Sequence, residues 1–373
     1  MKIALVHDYL KEFGGAERVL RSLADIFPEA PIYTAFINRN SLVAKSFTDR
    51  KIIESSWGWL LKKKSLYSPF RFLAPLVWKS LDLSDYDLVI TSCSGYFARG
   101  FRVGPKTKII AYCHTPPRFL YGYQTSRDWQ KYPLIFWYAL VVNHFLRQFD
   151  FNSAQKVDHW LVNSKNVLLR VKKFYRQNST VIYPPVAIEK FIEASKKASK
   201  KNYFLIVSRL VGAKGLEEAV IAAKTLKLPL KIVGGTAGYE VIKERLTRIS
   251  QGKVEFLGRV SDEKLVHLYA QAKGFLALAR DEDFGITVVE AQAAGTPVIA
   301  FNGGGFCESI KDGQTGILIN DTDVETISQA IKRFNKINWK KEKLQSWAKK
   351  FSEERFKREI KEFVDKVRSS LEN

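Results

Sequence analysis

Several features that define whole classes of protein are scarce in this chain of 373 residues. Cysteine occurs only at Cys93, Cys113 and Cys307, with no Cys-x-x-Cys spacing. That excludes a disulfide framework and fits a reducing compartment. The longest apolar run covers residues 133–142, about half of the roughly 20 residues that span a bilayer. Met1 leads directly into an apolar strand pattern over residues 2–6, so no leader peptide is expected. The loop after that strand has neither a GxGxxG fingerprint nor the lysine of a P-loop. Histidine is limited to five residues, with no Asp or His partner at zinc-ligand spacing. Acid is short as well: 38 Asp and Glu stand against 60 Lys and Arg, a formal charge of +22. Such a balance suits nucleic acid, an anionic membrane or anionic substrates. The dispersed lysines and the lack of a recognisable nucleic-acid motif speak against the first.

What is present reads as two α/β cores. The length suffices for two domains. Buried strands are expected at residues 2–6, 32–36, 88–91, 108–112 and 160–162, then at 203–207, 230–233, 254–257, 274–279, 297–301 and 316–319. Helical stretches alternate with them, which points to doubly wound parallel sheets. In such sheets ligands bind beyond the carboxyl ends of the strands.

One stretch, residues 280–300, organises the rest. Glu282 and Glu290 stand eight residues apart, between a buried strand and a helix that Gly295 and Pro297 stop. The amides of Gly285, Ile286 and Thr287 lie at the helix start and suit a phosphate. The two carboxylates can accept hydrogen bonds from neighbouring hydroxyls. Phosphate plus hydroxyls describes a nucleotide sugar. On spacing alone, two solvated acids beside an ordinary turn account for the pattern equally well. The same holds for Gly14-Gly15 after the first strand, for His114 after the 108–112 strand, and for Arg209 and Lys214 around the 203–207 strand end. The strings Asp85-Tyr-Asp87, Asp281-Glu-Asp283 and Asp321-Thr-Asp323 are too short to mark a metal site.

The wider string EDFGITVVEAQAAGTPVIAFNGGG resembles the E-x7-E segment of retaining glycosyltransferases of family 4, which have the two-domain GT-B fold. The resemblance implies that Glu282 contacts the donor sugar and Glu290 the nucleotide ribose, with Phe284, Gly285, Ile286 and Thr287 completing that donor loop. Ser208-Arg209-Leu210 with Lys214-Gly215 resembles a second signature and assigns Arg209 and Lys214 to the donor diphosphate. Gly14-Gly15-Ala16-Glu17 resembles a loop facing the donor phosphates and the acceptor. Gly258, Arg259 and Val260 fall where the family passes the nucleotide base. HTPPRFL is similar to a segment of bacterial mannosyltransferases of polysaccharide synthesis. It implies that His114 sits beside the transferred sugar and that Arg118 contacts acceptor or phosphate.

The expected layout is an acceptor-binding Rossmann-like domain over residues 1–185, a linker over 186–202 and a nucleotide-sugar domain over 203–350, with a cleft between the domains. A helix over 351–373 is expected to return to the first domain. His114, Glu282, Arg209 and Lys214 are the expected catalytic set. GDP-mannose is the favoured donor, with UDP-sugars open, and no metal or other cofactor is expected. The acceptor is expected to be a glycan or lipid-linked glycan. Two segments mix aromatic, aliphatic and basic residues. The first, residues 57–81, is expected to touch an anionic membrane at the inner face of the plasma membrane. The second, residues 132–147, is expected to pack in the core.

Overall fold

The computed structural model describes all residues except 63–68, 124, 126–132, 237–239 and 373, and the side chains of 370–372. The middle of the basic aromatic segment and Tyr132 therefore lie outside the described residues. The chain divides into two compact units. One comprises residues 1–123, 128–185 and 356–373; the other comprises 124–127 and 186–355.

The first unit runs β1 (Ile3–His7), α1 (Gly15–Ile26), β2 (Ile32–Thr34), α2 (Leu42–Lys45), β3 (Ile52–Glu54), α3 (Gly58–Leu61), α4 (Ala74–Lys79), β4 (Leu88–Cys93), β5 (Lys108–Cys113), α5 (Pro133–Ala154), β6 (His159–Val162), α6 (Lys165–Tyr175) and β7 (Ser179–Val181). All seven strands are parallel, in the order β3-β2-β1-β4-β5-β6-β7. The strand order reverses between β1 and β4. Side chains alternate across the sheet, as the two-residue strand period requires. Ala4, Val6, Val89, Ala111 and Cys113 enter one core layer. Leu5, Leu88, Ile90, Ile110 and Tyr112 enter the other, together with Val19, Leu20 and Leu23 of α1. Phe356, Ile360, Val364 and Val367 of the last helix, α15 (Glu353–Glu372), complete that second layer.

The second unit runs α7 (Ile188–Lys197), β8 (Phe204–Val207), α8 (Leu216–Thr225), β9 (Leu230–Val233), α9 (Glu240–Ser250), β10 (Val254–Gly258), α10 (Asp262–Gln271), β11 (Gly274–Ala277), α11 (Ile286–Ala293), β12 (Val298–Phe301), α12 (Phe306–Ser309), β13 (Gly316–Ile319), α13 (Val324–Lys336) and α14 (Lys341–Ala348). Its six parallel strands are ordered β10-β9-β8-β11-β12-β13, reversing between β8 and β11. The expectation of two doubly wound sheets is met.

Two expectations need correction. Residues 186–202 are not a linker: α7 buries Ile188, Phe191 and Ser195 within the second unit. Lys341 Nζ donates to the Ser195 carbonyl at 2.5 Å, and Gln345 to its hydroxyl at 2.9 Å. Its buried positions Ile188, Phe191 and Ser195 follow the helical period, so the lysines in its last turn end a packed helix. The second correction concerns α5. Over residues 133–142 no residue is buried; the buried positions are Asn143, Leu146, Asp150, Ser153 and Ala154. Most of the apolar side chains in the segment read as core therefore turn outward, while Leu146 and in part Val142 pack inward.

Candidate functional site

In the second unit the candidate side chains lie on loops where the sheet order reverses. Arg209 is exposed just past the end of β8. Lys214 lies on the loop into α8, and its Nζ stands 2.7 Å from Oε2 of Glu282, on the loop after β11. Both members of the pair are mostly shielded, with 27% and 21% of the side chain exposed. Glycines fix this meeting. A Cβ at Gly215 would fall 2.4 Å from the Leu278 carbonyl oxygen, so the Lys214 loop lies directly on the chain leaving β11. A Cβ at Gly304 would fall 2.3 Å from the Glu282 carbonyl oxygen. The Gly305 amide donates to that same oxygen at 2.8 Å. The Gly-Gly-Gly loop thus clamps the backbone of Glu282 from one side while the Lys214 loop closes the other.

Gly285 caps α11 in the left-handed region, φ 90°, and the helix begins at Ile286. Amides at a helix start have no partner within the helix. Those of Gly285, Ile286 and Thr287 follow Glu282 closely in sequence and favour an anion. Phe284 is 2% exposed and packs on Phe351 at 5.3 Å. Glu290 is likewise closed to solvent at 1%, and its Oε2 accepts from the Tyr269 hydroxyl at 2.8 Å. Gly258 ends β10 at the sheet edge, and Arg259 and Val260 follow it. The Gly234 amide donates to the Gly258 carbonyl at 2.9 Å, and the Leu210 amide to that of Gly235. The three loops after β8, β9 and β10 therefore stand side by side. Ser261 caps α10 by accepting from the Lys264 amide.

In the first unit the corresponding place is the end of β1, β4 and β5. His7 and Ser92 are register partners across β1 and β4. The Ser92 hydroxyl lies 3.1 Å from His7 Nδ1 and 2.8 Å from His114 Nε2. One hydroxyl has one proton, so it donates to one ring and accepts from the other, and the two imidazoles take linked tautomers. Glu17 extends the chain: its Oε2 accepts from the Gly14 amide at 2.8 Å, and its Oε1 lies 3.6 Å from His7 Nε2. The loop of Gly14 and Gly15 and the loop of His114 are thereby joined through Glu17, His7 and Ser92. Burial, reinforced by His7, pushes the pKa of His114 down to about 3, so the ring is neutral at ordinary pH. Arg118 sits on a short turn, Arg118–Leu120, beyond it.

The sequence reading did not single out His7, Ser92 or Asp8. Asp8 Oδ2 accepts from the Ser94 amide and hydroxyl and from the Tyr96 amide, at 2.8 to 3.0 Å. Its Oδ1 is buried without a hydrogen-bond partner, and burial raises its pKa above the usual carboxylate range. The one available signal was position, directly after the first strand.

Among the described residues, no group of three or more His, Cys, Asp or Glu is arranged to hold a metal ion. Asp321 pairs with Arg280, and Asp323 caps α13 by accepting from the Thr326 amide.

Comparison with known proteins places these loops in context. The family described as "Glycosyl transferases group 1" matches residues 187–351, and "Glycosyltransferase Family 4" matches residues 13–190. A D-inositol 3-phosphate glycosyltransferase of Mycolicibacterium smegmatis is 29% identical over 204 residues, covering 48% of this chain and 46% of that protein. An alpha-1,3/1,6-mannosyltransferase of Dictyostelium discoideum is 26% identical over 296 residues, covering 68% and 67%. The chain thus aligns with about half to two-thirds of the length of these curated relatives. Among solved structures, a sucrose-phosphate synthase of Thermosynechococcus elongatus superposes with TM-score 0.74 at 18% identity, covering 99% of this chain and 100% of that one. Anabaena HepE in complex with UDP and glucose gives 0.69 at 18%, covering 98% and 99%. At such identities the structures establish a shared fold.

Proposed function

Because the chain belongs to the glycosyltransferases of group 1 and family 4 and has their GT-B fold, we propose that it is a retaining hexosyltransferase using a nucleotide-sugar donor. The observation that carries this reading is the Lys214–Glu282 pair at the reversal of the second sheet, beside Arg209 and the first amides of α11. Arg209 and Lys214 hold the donor diphosphate, and the amides of Gly285 to Thr287 share its growing charge as the sugar leaves. Glu282 accepts from hydroxyls of the sugar. His114, kept neutral, offers a lone pair or an N–H to the sugar without adding positive charge near a developing cation. The acceptor attacks from the face that the diphosphate leaves, and the leaving phosphate takes the acceptor's proton. The cations supply the charge a metal would otherwise provide.

The favoured donor is GDP-mannose and the favoured acceptor a glycan, free or lipid-linked, in cell-envelope polysaccharide synthesis at the inner face of the plasma membrane. The HTPPRFL segment and the similarity to a mannosyltransferase over two-thirds of the chain support mannose. The UDP and glucose bound to Anabaena HepE support a UDP-sugar as the second reading. A thermal-shift panel of GDP, UDP, ADP, GDP-mannose and UDP-glucose, with and without magnesium, separates them. A ligand at about 100 times its Kd adds roughly 2.7 kcal/mol. A metal-independent shift with guanine nucleotides alone supports mannose. A shift with UDP compounds alone keeps the transferase and replaces the donor. No shift at all defeats the reading.

A further inference from the structure

Helix α5 is built the wrong way round for a helix of a water-soluble surface. Its four most exposed large apolar side chains are Leu134 (87%), Trp137 (66%), Val141 (60%) and Phe145 (64%). Their spacing places them within one narrow stripe, since each helical residue turns about 100°. Ile135, Tyr138 and Leu140 widen the stripe and are all more than 40% exposed. The buried side is formed instead by Asn143, Leu146, Asp150 and Ser153. Asp150 accepts there from Arg99, Tyr121 and Tyr175, which anchors the second half of the helix to the unit. The first half projects, tied to the turn Pro69–Leu73 by the Tyr138 hydroxyl, which donates to the Pro69 carbonyl. That turn exposes Phe72 as well.

Charge identifies what covers this face. No acidic residue occurs over residues 133–149 or 55–81, while His144, Arg147, Lys62, Arg71 and Lys79 stand in those stretches. His144 and Arg147 are exposed and border the lower end of the apolar stripe. A second copy of a chain carrying +22 would bring like charges together around that stripe. Anionic lipid complements it: headgroups meet the cations and the aromatic rings rest at headgroup depth. The stripe from Leu134 to Phe145 is about 16 Å long at 1.5 Å per residue, near half the hydrocarbon thickness of a bilayer. No described helix is long and apolar enough to cross one.

We propose that the first three turns of α5 dock the protein on an anionic lipid surface, lying in the interface with Leu134, Trp137, Val141 and Phe145 turned into the acyl boundary. The inference names the element behind the membrane contact in the functional reading and depends on that reading only for its purpose. Flotation of the full chain with phosphatidylglycerol-containing vesicles and with pure phosphatidylcholine vesicles, at low and physiological ionic strength, tests it. The expected result is co-flotation with the anionic vesicles that survives physiological salt in part. The triple variant Leu134→Ser, Trp137→Ser, Val141→Ser should lower partitioning about 100-fold while leaving the thermal midpoint in place, because these side chains are exposed. Arg147→Glu should weaken binding to anionic vesicles and leave any binding to phosphatidylcholine unchanged. Equal flotation of wild type and triple variant overturns the proposal. So does a dimer, seen by sedimentation equilibrium, that the triple variant abolishes without any vesicle binding by wild type. Loss of flotation with an intact nucleotide shift sinks the docking alone; flotation without any nucleotide shift sinks the transferase reading alone.

Discussion

Lys214 and Glu282 neutralise each other across 2.7 Å in a partly solvated place. Pairs of that kind contribute at most about 1 kcal/mol to folding, whereas one preorganised donor on a departing oxyanion is worth about 100- to 1000-fold in rate. Lys214→Ala and Glu282→Ala should therefore each cut kcat by about two to three orders of magnitude with nearly unchanged thermal midpoints. Steady-state kinetics with whichever donor gives a thermal shift, beside calorimetry, checks both halves. His114 makes a prediction in pH. The folded protein keeps the ring neutral down to about 3, while the unfolded chain protonates it near 6.5. Between those values the unfolded state binds more protons, so stability is complete above pH 6.5 and is lost as pH falls toward 3. Unfolding midpoints measured across that window should drop with acid, and His114→Gln should flatten the slope. Ser92→Ala removes the hydroxyl that links the tautomers of His7 and His114. It should lower kcat more than it raises KM, because it touches the orientation of His114 rather than donor affinity.

At the scale of the element, glycine decides. Gly304→Ala adds a Cβ 2.3 Å from the Glu282 carbonyl oxygen at φ 57°, and backbone cannot move aside cheaply. Gly252→Ala meets an equally left-handed φ of 76° with nothing within 4 Å. Both should pay the conformational strain of roughly 1 kcal/mol, but only Gly304→Ala should displace Glu282 and abolish turnover. Paired melting and activity measurements separate strain from displacement. In the second unit β8, β11, β12 and β13 were legible as uninterrupted apolar runs, as strands buried on both faces are, and β9 and β10 each carry one charged residue, Lys231 and Glu255, within a short apolar run. β3 (Ile52–Glu54) and β7 (Ser179–Val181) escaped notice: they are short edge strands whose residues are half-buried or exposed, so neither forms an apolar run. The loops proposed to hold the donor were legible because each lies in one continuous string. The link from His7 through Ser92 was not, since its partners are 85 residues apart and meet only across β1 and β4. α5 shows the limit of composition: an apolar helix half reads alike inside or outside, and only the anchoring at Asn143, Leu146 and Asp150 decides which.

For the whole molecule, α15 matters more than its place at the chain end suggests. Phe356, Ile360, Val364 and Val367 are each 5% exposed or less. At about 1.5–3 kcal/mol for each buried side chain, together they rival the roughly 5–15 kcal/mol that stabilises a typical domain. A chain ending at Arg355 should therefore lose the cooperative unfolding of its first unit, while residues 186–355 alone should still fold and keep the nucleotide shift. Differential scanning calorimetry of the three chains decides this. If the shortened chain melts like the full one, α15 is an ornament of the first unit.

That same helix sets a clock on biosynthesis. A ribosome releases residues 1–185 long before α15 exists, so the core layer of Leu5, Leu20, Ile110 and Tyr112 emerges with one wall missing. The second unit, made later, has every strand of its sheet and its flanking helices by residue 348. The half of the protein translated first is thus the half completed last. During that interval its open apolar layer is exposed to chaperones and to aggregation.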